Sequence, residues 1–148
     1  MATVAQRRFE DAIALADTNN NARANGVVYL AGFVVEILLK ARLIEKFPAI
    51  ARKPEHEIND KKRIGDDERE IWRLIWKQHS LEGMLERLSE LEAFLKKKGE
   101  RDGQDYVAEL KKVFGIWTIQ FRYSSQQMSM NEARNFLERV RLLKEQLR

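Results

Sequence analysis

The sequence predicts an all-α protein: an antiparallel bundle of four main helices with one or two shorter ones. Three observations predict it. Apolar residues recur with helical period in every long segment, strand-like alternation is absent, and only 7 Gly and 2 Pro interrupt the 148 residues. That length fits a single domain, 1–148, and 44% hydrophobic residues supply its core.

The first helix places Val4, Phe9, Ala12, Ile13 and Ala16 near one face and ends in the turn-forming run "TNNN". The second runs from about Ala22 to Phe47 and is stopped by Pro48. It is apolar nearly all round, which marks a central helix. Residues 48–65 contain both prolines and five cations, Arg52, Lys53, Lys61, Lys62 and Arg63, and have no apolar period. They read as a long polar loop, solvated and free to move, of the length that is otherwise functional.

Asp66 or Asp67 can cap a third helix carrying Ile71, Trp72, Ile75 and Trp76. Ser80 can cap a fourth, with Leu81, Met84, Leu85, Leu88, Leu91 and Leu95 on one face and Gly99 just past its end. A fifth presents Tyr106, Val107, Leu110, Val113, Phe114, Trp117 and Phe121. The last opens at Ser129 and Glu132, a capping box, and continues through Phe136, Val140 and Leu147.

Composition removes several chemistries. Without Cys there are no disulfides, thiolate metal sites or Cys nucleophiles, and two His are too few for most histidine metal centres. No phosphate-binding glycine loop, paired metal-ligand motif or nucleophile elbow is present. No metal and no cofactor is expected. The N-terminus does not read as a secretory signal, and the apolar run from Val27 to Leu39 falls short of the about 20 residues a membrane span needs. A cytoplasmic protein with no membrane partner is the expectation. A net charge of +4 permits a nucleic-acid partner without requiring one.

One anomaly stands out. Glu36 lies in the middle of the apolar run, and Asn25, Tyr29, Gly32, Glu36 and Lys40 fall on or near one line of that helix. Glu36 followed by Lys40 is the favourable order for an ion pair one turn apart. Gly32 reads as leaving space above the carboxylate. Either the stripe is the solvent edge of the helix, or it faces a second polar segment, "FRYSS". There Arg122 would pair with Glu36, and Tyr29 and Tyr123 would add hydroxyls.

These stretches carry a family resemblance. "YLAGFVVEILLKARL", "HSLEGMLERL" and "FRYSS…EARNFLERVRLL" resemble the central helix, the His-x-Leu segment and the Arg-Tyr-Ser region of the HEPN superfamily of small helical domains. The resemblance implies an antiparallel bundle, commonly a homodimer, that binds RNA or nucleotides. Such domains often act with a nucleotidyltransferase partner protein in toxin–antitoxin and phage-defence systems. Catalytic members are metal-independent endoribonucleases in which an Arg is followed within a few residues by a His.

Here no His follows Arg122, so the expectation is a non-catalytic binding module with a ligand site at Tyr29, Glu36, Lys40, Arg122 and Tyr123. The matching spacing occurs instead at Arg73 and His79, in "RLIWKQH". It reads as coincidence, with His79 a turn or capping histidine beside Ser80. The alternatives are a ribonuclease using Arg73 and His79, or His79 with Arg122, and a structural homodimer without ligand.

Overall fold

In the computed structural model, which describes residues 1–122 and 127–148 with the backbone alone at 119–122, the apolar run becomes the central helix. Among the described residues the chain is all-helical, without strands. In order, the helices are α1 (Ala2–Asp17), α2 (Ala24–Lys46), α3 (Pro48–Ala51), α4 (Glu55–Ile58), α5 (Asp66–Trp76), α6 (Leu81–Glu86), α7 (Ser89–Asp102), α8 (Tyr106–Arg122) and α9 (Met130–Leu147). A 3₁₀ turn, Asn21–Arg23, leads into α2. Proline at the first position of α3 ends α2 as its missing N–H requires.

α2 packs chiefly on α1 and α9 and also meets α8, α5 and α6. α1 turns Ala5, Phe9, Ala12 and Ala16 inward, and the three alanines let it lie close against α2. Val4, expected on that face, is instead exposed. The start of α9 is fastened to the start of α2 by side chains: Asn21 Oδ1 accepts the Met130 N–H and Asn25 Oδ1 accepts the Met128 N–H. The Ser129 hydroxyl accepts the Glu132 N–H, as a capping serine should.

Residues 48–65, expected as a polar loop, form a small arm with its own apolar centre of Ile58, Ile64 and Trp72, with Ile50 packed against it. α5 holds this arm through its backbone. Arg69, 7% exposed, donates to the carbonyls of Ile58 (2.9 Å) and Ile64 (3.2 Å) and to Asp66 (2.8 Å). Trp72 donates to the Lys53 carbonyl (3.0 Å) and Trp76 to that of Ala51 (3.1 Å). Three isoleucines among so many charges produce no period, which is why the arm reads as unstructured in sequence.

The helix ends also depart from expectation. Gly65 is the N-cap of α5, and Asp66 and Asp67 lie in its first turn, where their charge favours the positive helix end. The expected fourth helix divides at Arg87 and Leu88 into α6 and α7. The Arg87 carbonyl at the break accepts from Lys46 (2.9 Å). Gly99 lies inside α7, not beyond it. A Cβ there would fall 2.2 Å from the Gln104 carbonyl oxygen, so glycine permits the chain to fold back. Gly103, at φ 67°, is the actual left-handed cap. The Tyr106 hydroxyl donates to Asp102 (2.6 Å) across this turn, and that bond pushes the phenol pKa up.

α8 meets α2 at Gly32. The Trp117 indole occupies the space expected to be open there: a Cβ on Gly32 would lie 2.1 Å from Trp117 Cδ1. Gly32→Ala should therefore destabilise by about 1–3 kcal/mol, although alanine is the better helix former by about 1 kcal/mol. Gly115→Ala, where a Cβ meets nothing within 4 Å, should stabilise. Chemical denaturation of the two variants checks the contact, and a stabilising Gly32→Ala would refute it.

A second α8 contact is electrostatic. Burial opposes the charge on Glu109, but bonds from Arg139 on α9 and Lys112 outweigh it and hold the carboxyl below its ordinary value. The stabilisation is therefore present above the ordinary glutamate pKa of about 4.3 and is lost as pH falls through the lower folded value. Arg139→Met should cost about 1 kcal/mol at neutral pH, with the difference from the parent protein vanishing in acid melts.

Candidate functional site

Glu36 sits halfway along α2 and is 1% exposed. The stripe it belongs to is therefore not the solvent edge of the helix. Two cationic or donor groups meet its carboxylate among the described residues. Lys40 Nζ donates to Oε1 at 2.7 Å, the one-turn pair that the spacing predicts. His79 Nδ1 lies 2.8 Å from Oε1 and 3.1 Å from Oε2. An ionised carboxylate can only accept, so Nδ1 is the donor in this contact. His79 is 46% exposed.

The backbone around His79 is held on both sides. The Lys77 and Gln78 N–H groups both donate to the Arg73 carbonyl, closing α5. The Ser80 hydroxyl accepts the Gly83 N–H and starts α6. His79 is thus not itself the cap; its neighbour is, which leaves the imidazole free to cross to α2.

Aromatic rings line the same side of α2. Tyr29 stacks on Phe33 at 5.9 Å between centroids. Phe33 leans on His79 at 6.5 Å and meets Trp117 edge-on at 6.4 Å. Trp117 Nε1 donates to the Tyr29 carbonyl at 3.3 Å, which ties α8 to this turn of α2. Tyr29 is 48% exposed while Trp117 is buried, so the cluster has a dry base and an open rim.

Of the residues expected at the site, Glu36 and Lys40 are in direct contact, and Tyr29 lies on the same helix and joins them through Phe33 and His79. Arg122 is the last residue of α8, and its side chain, like the whole of Tyr123, lies outside the described residues, as does the expected Glu36–Arg122 pair. Arg73 is exposed on α5, and no hydrogen bond or ion pair links it to His79. Phe33 is the site residue that pattern reading passed over, and His79, weighed as a partner of Arg73 or Arg122 or as a turn histidine, was not connected to Glu36. Phe33 looked like one more core residue. His79 had a signal: an interior carboxylate needs a partner, and the chain has only two histidines.

Among the described residues no group of three or more His, Asp or Glu is gathered to hold a metal ion, and no helix is long and apolar enough to cross a membrane. Compared with known protein families, curated proteins and solved structures, the chain matches none.

The Glu36 contact is directly testable. Glu36→Ala should destabilise by about 2 kcal/mol, below the 3–5 of a fully buried pair because His79 reaches water. The His79 Nδ1–H resonance, protected by the carboxylate in the parent protein, should disappear by exchange in the variant. A parent spectrum with His79 indistinguishable from a free imidazole would contradict the geometry.

Proposed function

We propose that this chain is a HEPN-like module that binds RNA or a nucleotide at the face formed by Tyr29, Phe33, Lys40 and His79. The observation that carries the reading is the buried Glu36 carboxylate. Its charge is consumed by Lys40 and His79, so it fixes two nitrogen-bearing groups in place beside an exposed aromatic stack. A nucleotide offers the complement, a flat base for the rings and a phosphate for the Lys40 ammonium, which His79 joins only when its Nε2 is also protonated. The net charge of +4 is in keeping with an anionic ligand. Arg122 and Tyr123, expected from the sequence to face Glu36, would complete the site.

The resemblance to HEPN domains supplies the rest of the reading: an antiparallel bundle, a homodimer, and a role beside a nucleotidyltransferase partner in a toxin–antitoxin or defence-type system in the cytoplasm. A second reading, a metal-independent endoribonuclease, is favoured by one observation. An imidazole held by a carboxylate at Nδ1 and 46% exposed is a group that can accept or give a proton, with Arg73 or Arg122 to meet phosphate charge.

Fluorescence anisotropy with a labelled single-stranded RNA tests the binding reading. Affinity should fall steeply between 50 and 200 mM salt, as counterion release requires. Tyr29→Leu and His79→Ala should each weaken it about ten-fold. Salt-independent or absent binding would remove the reading. RNA cleavage in the presence of a chelator, abolished by His79→Ala, would establish the second.

A further inference from the structure

Trp76 is the feature that the site leaves unexplained. Of the three tryptophans, Trp72 and Trp117 are buried and Trp76 is 48% exposed. Its indole N–H is already satisfied by the Ala51 carbonyl at 3.1 Å, which locks the ring in place against the arm. A large apolar plate held rigid in water, three residues before His79, costs solvation and serves nothing in the core. Cations flank it in the sequence and at the residue after its bond acceptor. Arg73 precedes it by one turn of α5, and Arg52 follows the Ala51 that accepts its bond. Beyond them the arm carries Lys61 and Lys62. All four cations are exposed and make no ion pair, whereas Lys53 and Lys77 are matched by Glu57 and Glu55.

The arm's fold does not need these charges. It is held by α5 donors to its carbonyls and by its isoleucines, so its cationic side chains are spared structural duty.

We infer that Trp76, with Arg52 and Arg73, forms a second nucleic-acid subsite, in which an unpaired base of a single strand stacks on the indole and flanking phosphates meet the two arginines. The inference rests on the nucleic-acid reading above and extends its footprint from His79 onto the basic arm. An exposed aromatic plate on an element that also carries cations is what sequence-tolerant single-strand binding uses.

The test uses the full chain and a short fluorescein-labelled oligouridylate, with tryptophan emission and anisotropy read together. Binding should quench tryptophan emission. Trp76→Phe should remove most of that quench yet keep affinity within about three-fold, while Trp76→Leu should lose about ten-fold. Arg52→Gln combined with Arg73→Gln should lower the slope of log affinity against log salt by about 1.4, about 0.7 for each phosphate contact. Should Trp76→Leu also lower the melting temperature, the arginine variant decides.

Unchanged affinity and slope in that arginine variant, with Tyr29→Leu still weakening binding, overturns this subsite and leaves the first site standing. Absence of any oligonucleotide binding overturns both. Competition by polyglutamate, or capture by anionic vesicles, at least as strong as that by oligonucleotide also overturns the assignment.

Discussion

A single carboxylate organises the polar part of this molecule. Glu36 lies on the helix that every other long helix except α7 packs against, at a level where an unpaired charge would cost several kcal/mol. Lys40 alone could meet it, since the two share a helix face and the pair needs no tertiary structure to form. His79 differs. Its contact closes a connection of 43 residues and brings the α5–α6 turn onto α2. The local pair lowers the cost of burying the carboxylate, and the long-range bond turns that buried group into a fastening between segments.

The same logic, reversed in sign, governs the arm. There the buried polar groups are backbone carbonyls of a segment too short to form long helices, and the donors come from one face of α5. Arg69, Trp72 and Trp76 reach Ile58, Ile64, Lys53 and Ala51 in turn. Donors aimed at backbone impose shape without dictating side chains. The arm therefore combines a defined path with a polar surface on which Arg52, Lys61, Lys62 and Arg63 are exposed.

How much of this was legible in the sequence depends on the range of each interaction. The long helices were readable because period and caps are local: Ser129 does cap α9, Ser80 does cap α6, and Pro48 does follow the end of α2. The Glu36–Lys40 pair was readable for the same reason. The break between α6 and α7 was not, because the donor that meets the Arg87 carbonyl is Lys46, on another helix and 41 residues away. The arm was hidden because its stabilising donors lie in α5 while its own composition looks solvated. Gly32 was noticed as small but misjudged: the space beside it is filled by an indole from 85 residues away (117 against 32), not left over the carboxylate.

The site and the core are mechanically one object. Trp117 fits against Gly32, its edge sets Phe33, and Phe33 leans on the imidazole that Glu36 holds. Each contact is short and each ring has few alternative orientations at native packing density, so a displacement of the indole would be passed to His79 with little loss. The base of the candidate site is thus built from the core: Glu36 holds the His79 imidazole, while Trp117 and Phe33 hold the turn of α2 that carries Tyr29.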